Sequence, residues 1–253
     1  MFNYQIIIEY DGTNFLGWQK QKKGRTIQAY IEKTLKKVLN EKINLIGSGR
    51  TDKGVHAVAQ SANFFTKNEI KKKNKFLLSM NFFLNKTGIS LIKICKKKLD
   101  FHSRFNAKMR TYTYLISNRE GGLVLNKNRA WQIRRRLNHR SMQSACNLLR
   151  GKKDFSTFRS ASCNARSPIK TIEQAKVIKK QDTIRIIFKS KSFLQQQVRS
   201  MVGCIKYVGE GKWSVNNFRK IIRSKRRSSC APPAPPEGLY LSKVDYWLFK
   251  SIL

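Results

Sequence analysis

TIEQAKVIKKQDTIRIIFK, residues 171–189, reads as two strands, near 171–180 and 183–189, joined by the polar pair Gln181-Asp182. Strands connected so tightly run antiparallel, because a parallel pair needs a long crossover. Such hairpin-like pairing argues against an all-parallel sheet. Downstream, residues 192–208 are predicted to be a helix, with Leu194, Val198, Met201, Val202, Ile205 and Val208 on one side and Arg199 off the centre of that stripe. A second helix near 215–224 leads into the basic cluster Arg223 to Arg227. The segment APPAPP, 231–236, must be irregular, since proline lacks the amide donor. It delivers a last strand, GLYLSKVDYW, at 238–247.

Upstream, a helix is expected near 138–150, and RTYTYLIS at 110–117 alternates β-branched and aromatic residues as a strand does. In the N-terminal half, YQIIIEY at 4–10 reads as a buried strand closed by Asp11-Gly12. Thr26 is placed to cap a helix carrying Ile27, Ile31, Leu35 and Val38 at helical spacing. Strands near 42–46 and 58–66 flank the glycine-rich segment GSGRTDKGVHA, 47–57. The basic runs Lys71 to Lys75 and Lys96 to Lys98 flank a mixed segment and read as solvated surface. The result is an α+β chain of two domains meeting near residue 106, namely 1–106 with the glycine-rich loop and 107–253. No repeat at short period is visible.

Charge narrows the partner. Lys and Arg number 53 against 14 Asp and Glu, a formal balance of +39, which attracts polyanions and points to nucleic acid. With 40% apolar residues the chain can still build a core. Its five cysteines are scattered, with no Cys-x-x-Cys pair, and the histidines do not sit at zinc-ligand spacing. Neither a disulfide framework nor a structural zinc is expected, and reduced thiols suit a cytoplasmic protein. No stretch approaches a signal or membrane-span length.

Three segments could carry chemistry. In Gly47-Ser48-Gly49-Arg50-Thr51-Asp52-Lys53-Gly54, glycines permit tight turns and close approach around one carboxylate bracketed by Arg50 and Lys53. A carboxylate facing bound RNA repels phosphates, so it suits chemistry better than affinity. Read alone, the loop also fits an ordinary surface turn. A phosphate-cradling loop is disfavoured, because Gly-Lys followed by Ser or Thr is absent. In Arg110-x-Tyr112-x-Tyr114, alternation places all three on one strand face, suited to stacking on an unpaired base or to plain core packing. In the helix carrying Val198-Arg199-Ser200-Met201-Val202-Gly203, Arg199 becomes interesting only as a partner for Asp52.

These segments, in this order, resemble the TruA family of tRNA pseudouridine synthases. So do EYDGTNFLGWQKQ at 9–21, DFHSRF at 100–105, FSTFR at 155–159 and EGLYL at 237–241, which together span nearly the whole chain. The resemblance implies the pseudouridine synthase fold: two similar domains, each with a mostly antiparallel sheet flanked by helices, the second completing the active-site cleft. It implies a homodimer that grips tRNA in basic grooves and isomerises uridine to pseudouridine at positions 38, 39 and 40 of the anticodon stem-loop. By the same resemblance Asp52 is the catalytic aspartate and Tyr112 the tyrosine against the target base. Arg50 is associated with displacing the target nucleotide, and Arg199 is the basic partner of the aspartate. One departure is FFLNKTGIS at 82–90, where Asn85 stands in place of the family's proline and leaves that loop's conformation open.

The chemistry implied is cofactor-free and metal-free. The bond from uracil N1 to ribose C1′ breaks, the base turns, and it rejoins through C5, with neither redox change nor hydrolysis. Two rival classes remain on sequence grounds. A non-catalytic RNA-binding or ribosome-associated protein would use the charge and aromatics but not the isolated loop carboxylate. A metal-dependent nuclease would want clustered acids, whereas the nearest to Asp52 on either side are Glu41 and Glu69.

Overall fold

The computed structural model describes residues 1–246, and the chain divides into two compact units. One holds Met1–Lys108 with the described residues from Leu241 on, and the other is Met109–Tyr240. The sequence places everything after 106 in the second domain, whereas the described residues from Leu241 on group with the first unit. Each unit is a mostly antiparallel sheet with helices, so the architecture is α+β.

The first unit opens with β1 (Phe2–Tyr10), α1 (Ile27–Leu39), β2 (Ile46–Gly47), β3 (His56–Thr66), α2 (Lys73–Leu84) and β4 (Ile89–Lys97). β1 lies between β3 and β4, antiparallel to both, with Ile6 opposite Ala62 on one side and Ile94 on the other. The period of two sends Tyr4, Ile6 and Ile8 to a fully buried face. Burying each isoleucine there contributes about 1.5–3 kcal/mol relative to exposure. Tyr4 stacks on Phe64 at 6.0 Å, and Phe64 on Phe76 of α2 at 6.3 Å, which fixes α2 against that face.

Thr26 does precede α1, in extended backbone, but its side chain makes no capping bond and its hydroxyl is buried without a hydrogen-bond partner. The first helical amides are satisfied by main chain instead: Ile27 N donates to Gly17 O at 3.1 Å and Gln28 N to Trp18 O at 3.0 Å. Residues 42–46 do not form the expected strand, and only Ile46–Gly47 pair with β3. The mixed segment after Lys71 contains α2, which buries Phe76, Met80 and Leu84. Asn85–Thr87 continue α2 as one 3-10 turn, closed by Gly88 in the left-handed region. The Gly88 carbonyl accepts from Asp11 N at 2.9 Å, so this turn abuts the end of β1.

The second unit comprises β5 (Ala107–Ser117), β6 (Trp131–Gln132), α3 (His139–Leu149), β7 (Gly151–Asp154), β8 (Ile169–Lys180), β9 (Thr183–Ser190), α4 (Gln197–Gly209) and α5 (Val215–Ser224). The order is β5-β9-β8-β7, antiparallel throughout, with β6 a short parallel partner of β5. The 171–189 hairpin forms as the sequence implies, with Lys180 opposite Thr183 and Gln181 taking a φ of 49° at the turn. Asn138 caps α3 by accepting from the amides of Arg140 and Ser141, and Ser214 caps α5 through Asn217 N. Helix α3 buries Met142, Ala145, Cys146 and Leu149, and its Gln143 accepts from Val177 N on β8 at 2.7 Å. Helix α4 begins at Gln197, not near 192, because Gln196 has a φ of 58° and breaks the run.

The last strand, β10 (Leu239–Tyr246), lies beside β3 in the first unit. There the Tyr246 hydroxyl stands 2.8 Å from both Ser61 Oγ and the Ser103 carbonyl. Trp247, the end of the strand expected from sequence, lies outside the described residues. Among the described residues no helix is long and apolar enough to cross a membrane.

Candidate active site

The loop from Ser48 to Val55 joins β2 to β3 and is held at both ends. Ser48 N donates to Ser61 O at 2.8 Å, the Ser48 hydroxyl to Gln60 Oε1 at 2.7 Å, and Gln60 Nε2 to the Gly49 carbonyl at 2.8 Å. At the far end Val55 N donates to Asp52 O at 3.2 Å, closing a turn over Lys53 and Gly54, with Gly54 at a φ of 77°. Asp52 is half-buried at the start of this turn, and Arg50 is exposed, with its Nε donating to Gln19 Oε1 at 3.0 Å.

A second segment, residues 10–18, lies against that loop. Tyr10 and Thr51 share a hydroxyl hydrogen bond of 2.8 Å, Trp18 N donates to Thr51 O at 3.1 Å, and Gly54 N donates to Phe15 O at 3.3 Å. The fit depends on two glycines. A Cβ on Gly12 would stand 2.0 Å from Val55 O, and one on Gly17, whose φ is +102°, would stand 2.5 Å from Thr51 O. Backbone therefore presses on backbone on both sides of Asp52, which fixes the carboxylate's main chain more firmly than a free surface turn would. In the sequence these glycines lie within EYDGTNFLGWQKQ, 9–21. Their signal was the spacing of Gly12 and Gly17 around the aromatics Phe15 and Trp18.

His56 is a further supporting residue, and its sequence spacing signals nothing beyond the lack of a zinc-ligand pattern. It is 1% exposed, and its Nδ1 accepts from Gly12 N at 3.0 Å. Asp11 Oδ1 lies 3.1 Å from the same nitrogen while also accepting from the Thr13 amide and hydroxyl. A protonated Nδ1 would pair with Asp11 but forfeit the Gly12 bond. An accepting Nδ1 keeps the Gly12 bond but faces the Asp11 carboxylate and makes Nε2 a buried donor with no hydrogen-bond partner.

In the second unit, Arg110, Tyr112 and Tyr114 share one face of β5, and all three are buried. Arg110 Nη1 donates to the Lys191 carbonyl at 2.5 Å. Tyr114 is fully buried, and its hydroxyl donates to Pro235 O at 2.7 Å. Burial pushes its phenol well above the ordinary tyrosine range, Glu237 pushes it the same way and Arg199 opposes. Tyr112 retains 8% exposure and meets Phe193 edge-to-face at 5.3 Å. Tyr114 thus has a packing role, Arg110 ties strand to loop, and Tyr112 alone of the two tyrosines keeps an accessible part.

Arg199 is half-buried on the first turns of α4. Its Nε donates to Ala234 O at 2.7 Å, and its own carbonyl accepts from Ala234 N at 2.9 Å. Gly203, one turn on, leaves room for the Pro232 carbonyl, which would stand 2.1 Å from any Cβ there. The 231–236 segment is therefore a strap across α4 that aligns the Arg199 side chain and receives the Tyr114 hydroxyl. Arg50 and Asp52 belong to the first unit, and Tyr112 and Arg199 to the second. Among the described residues no three His, Cys, Asp or Glu side chains gather as a metal-binding group.

A family model described as tRNA pseudouridine synthase matches residues 6–106 and 145–247. A protein named tRNA pseudouridine synthase A from Pelagibacter ubique is 54% identical over 97% of this chain and 100% of its own length. One of the same name from Rhodopseudomonas palustris is 45% identical over the same shares. Among solved structures, a chain from a Cbf5-Nop10-Gar1 complex overlays with a TM-score of 0.32 at 12% identity, covering 80% of this chain and 53% of that one, a likeness too loose to argue from.

Proposed function

Because the chain belongs to the tRNA pseudouridine synthase family, and is thus an isomerase that converts uridine to pseudouridine in tRNA, we propose that its targets are positions 38, 39 and 40 of the anticodon stem-loop. The observation that carries the assignment of the chemistry is the carboxylate of Asp52, held on a loop that is clamped by backbone contacts on both sides. Each conceivable course of the isomerisation needs a carboxylate oxygen at a fixed place, whether it attacks ribose C1′, attacks the base at C6, or removes the 2′ proton.

The remaining roles divide by chemistry. A uridine inside a stem is unreachable and must be flipped out, at a cost of a few kcal/mol. Arg50, exposed beside Asp52, supplies the guanidinium that holds the flipped state. Tyr112 offers its ring to the target base, and Arg199, aligned by its bond to Ala234, supplies fixed positive charge. The surface charge of this +39 chain serves for docking the polyanion. The reading includes a homodimer working in the cytoplasm without metal or cofactor, since the isomerisation transfers neither electrons nor water.

The test uses purified protein and uridine-labelled tRNA in which positions 38, 39 and 40 are replaced by cytidine singly and together. Pseudouridine should disappear site by site and vanish in the triple replacement. Pseudouridine persisting elsewhere in the triple replacement would overturn the site assignment while leaving the reaction class intact.

A further inference from the structure

Cys204 and Cys230 form a thiol pair that the isomerisation does not use. Their Sγ atoms lie 3.4 Å apart, although the residues are 26 positions apart in sequence. Cys204 is fully buried on α4, and Cys230 is half-buried in the residue just before the 231–236 strap. The pair sits against Arg227, whose Nη1 also donates to Ser200 Oγ at 3.2 Å, while Cys230 Sγ lies 3.8 Å from the Ser200 carbonyl. The two thiols are made unequal. The hydrogen bond the two thiols share, in which either can donate, lowers the Cys230 thiol, with burial opposing and the Arg227 cation helping, whereas that bond and burial raise Cys204. A thiol of a half-buried residue next to a guanidinium, with a second thiol in van der Waals contact, is the arrangement of an attacking and a resolving cysteine.

We propose that Cys230 and Cys204 are a peroxide-responsive modification site that closes to an intramolecular disulfide, fastening the start of the strap to α4. The Cys230 thiolate attacks one oxygen of hydrogen peroxide, the O–O bond breaks, and the leaving hydroxide takes a proton, giving a sulfenic acid and water. Cys204 sulfur then attacks the Cys230 sulfur, the S–O bond breaks, and the departing oxygen takes the Cys204 proton as a second water. Two thiols are oxidised by two electrons, and one peroxide is reduced to two waters. Bond formation requires the sulfurs to close from 3.4 Å to about 2 Å. The strap is already seated on α4 by Gly203 and Arg199, so the bond adds a covalent tie without a new docking step.

The experiment treats the folded full chain with stoichiometric hydrogen peroxide, counts free thiols and maps peptides by mass spectrometry without reduction. The count should fall from five to three, with a linked Cys204–Cys230 peptide, and dithiothreitol should restore five. The Cys230→Ser variant should lose no thiol in the same treatment. In Cys204→Ala, Cys230 should instead be captured as a sulfenic acid by dimedone. Five thiols persisting, a link involving Cys95, Cys146 or Cys163, or Cys230 passing to sulfinic acid in the parent chain would each overturn the proposal.

Discussion

A Cβ on Gly17 would stand 2.5 Å from the carbonyl oxygen of Thr51, the residue immediately before Asp52. Gly17→Ala therefore meets both a contact that must give and a φ of +102° that L-residues rarely adopt. The expected cost is about 1–3 kcal/mol of stability, with some of it expressed as displacement of the loop. Pseudouridine yield in a single turnover should drop at least tenfold while tRNA affinity changes less. A variant with parent-like melting and parent-like yield would show that Gly17 does not clamp the loop.

Asp52→Asn is nearly isosteric, and the main-chain bond from Val55 N to Asp52 O does not depend on the side chain. Folding should hold, yet no carboxylate oxygen remains, so yield should fall to background. Removing an anion near docked phosphates should leave tRNA affinity equal or slightly higher. Yield and affinity are measured on one preparation. Near-normal yield would sink the catalytic assignment.

Tyr112→Phe preserves the edge contact with Phe193 and should keep most activity. Tyr112→Ala loses base stacking worth about 1–3 kcal/mol and leaves a void in a largely buried place, so its yield should fall roughly 10- to 100-fold. Yields are compared at a temperature where both variants are folded. Equal and total loss in both would move the role from ring to hydroxyl.

Tyr114→Phe removes the bond to Pro235 O and should cost about 0.5–1.5 kcal/mol in chemical denaturation, with base-dependent kinetics unchanged. A loss of turnover as large as in Tyr112→Ala would exchange the roles given to these two tyrosines.

Binding of tRNA should weaken steeply between low and moderate salt, because each neutralised phosphate releases a counterion. The slope of log affinity against log salt reads the number of phosphates engaged. A nearly flat line would mean that the +39 balance does no docking.

What the sequence disclosed follows from the range of the forces involved. The 171–189 hairpin was legible because alternation and a polar turn are local signals. Helix α2 was not: Leu78 and Phe82 are exposed, so its apolar positions do not form one stripe, and the preceding lysines read as surface. The start of α4 was misplaced because Leu194 is buried, continuing the apolar rhythm, although Gln196 has already left helical geometry. Ile43 and Leu45 are likewise buried without belonging to a strand. In the loop, the residue types around Asp52 suggested chemistry. The contacts of Gly12 with Val55 and of Gly17 with Thr51 join places far apart in sequence, which periodicity does not encode. Alternation put Arg110, Tyr112 and Tyr114 on one face but did not say that two of them are tied to main-chain carbonyls.

The pairing of β10 with β3 makes the first unit discontinuous along the chain. Met109–Tyr240 is one unbroken stretch, whereas Met1–Lys108 is joined by the described residues from Leu241 on. The strand that covers β3 and brings Tyr246 to Ser61 is thus tethered to Met109–Tyr240. Whenever that strand is undocked, β3 presents an unpaired edge, the kind of surface on which chains join one another. Damage to Met109–Tyr240 can in this way unfasten the half of the molecule that carries Asp52.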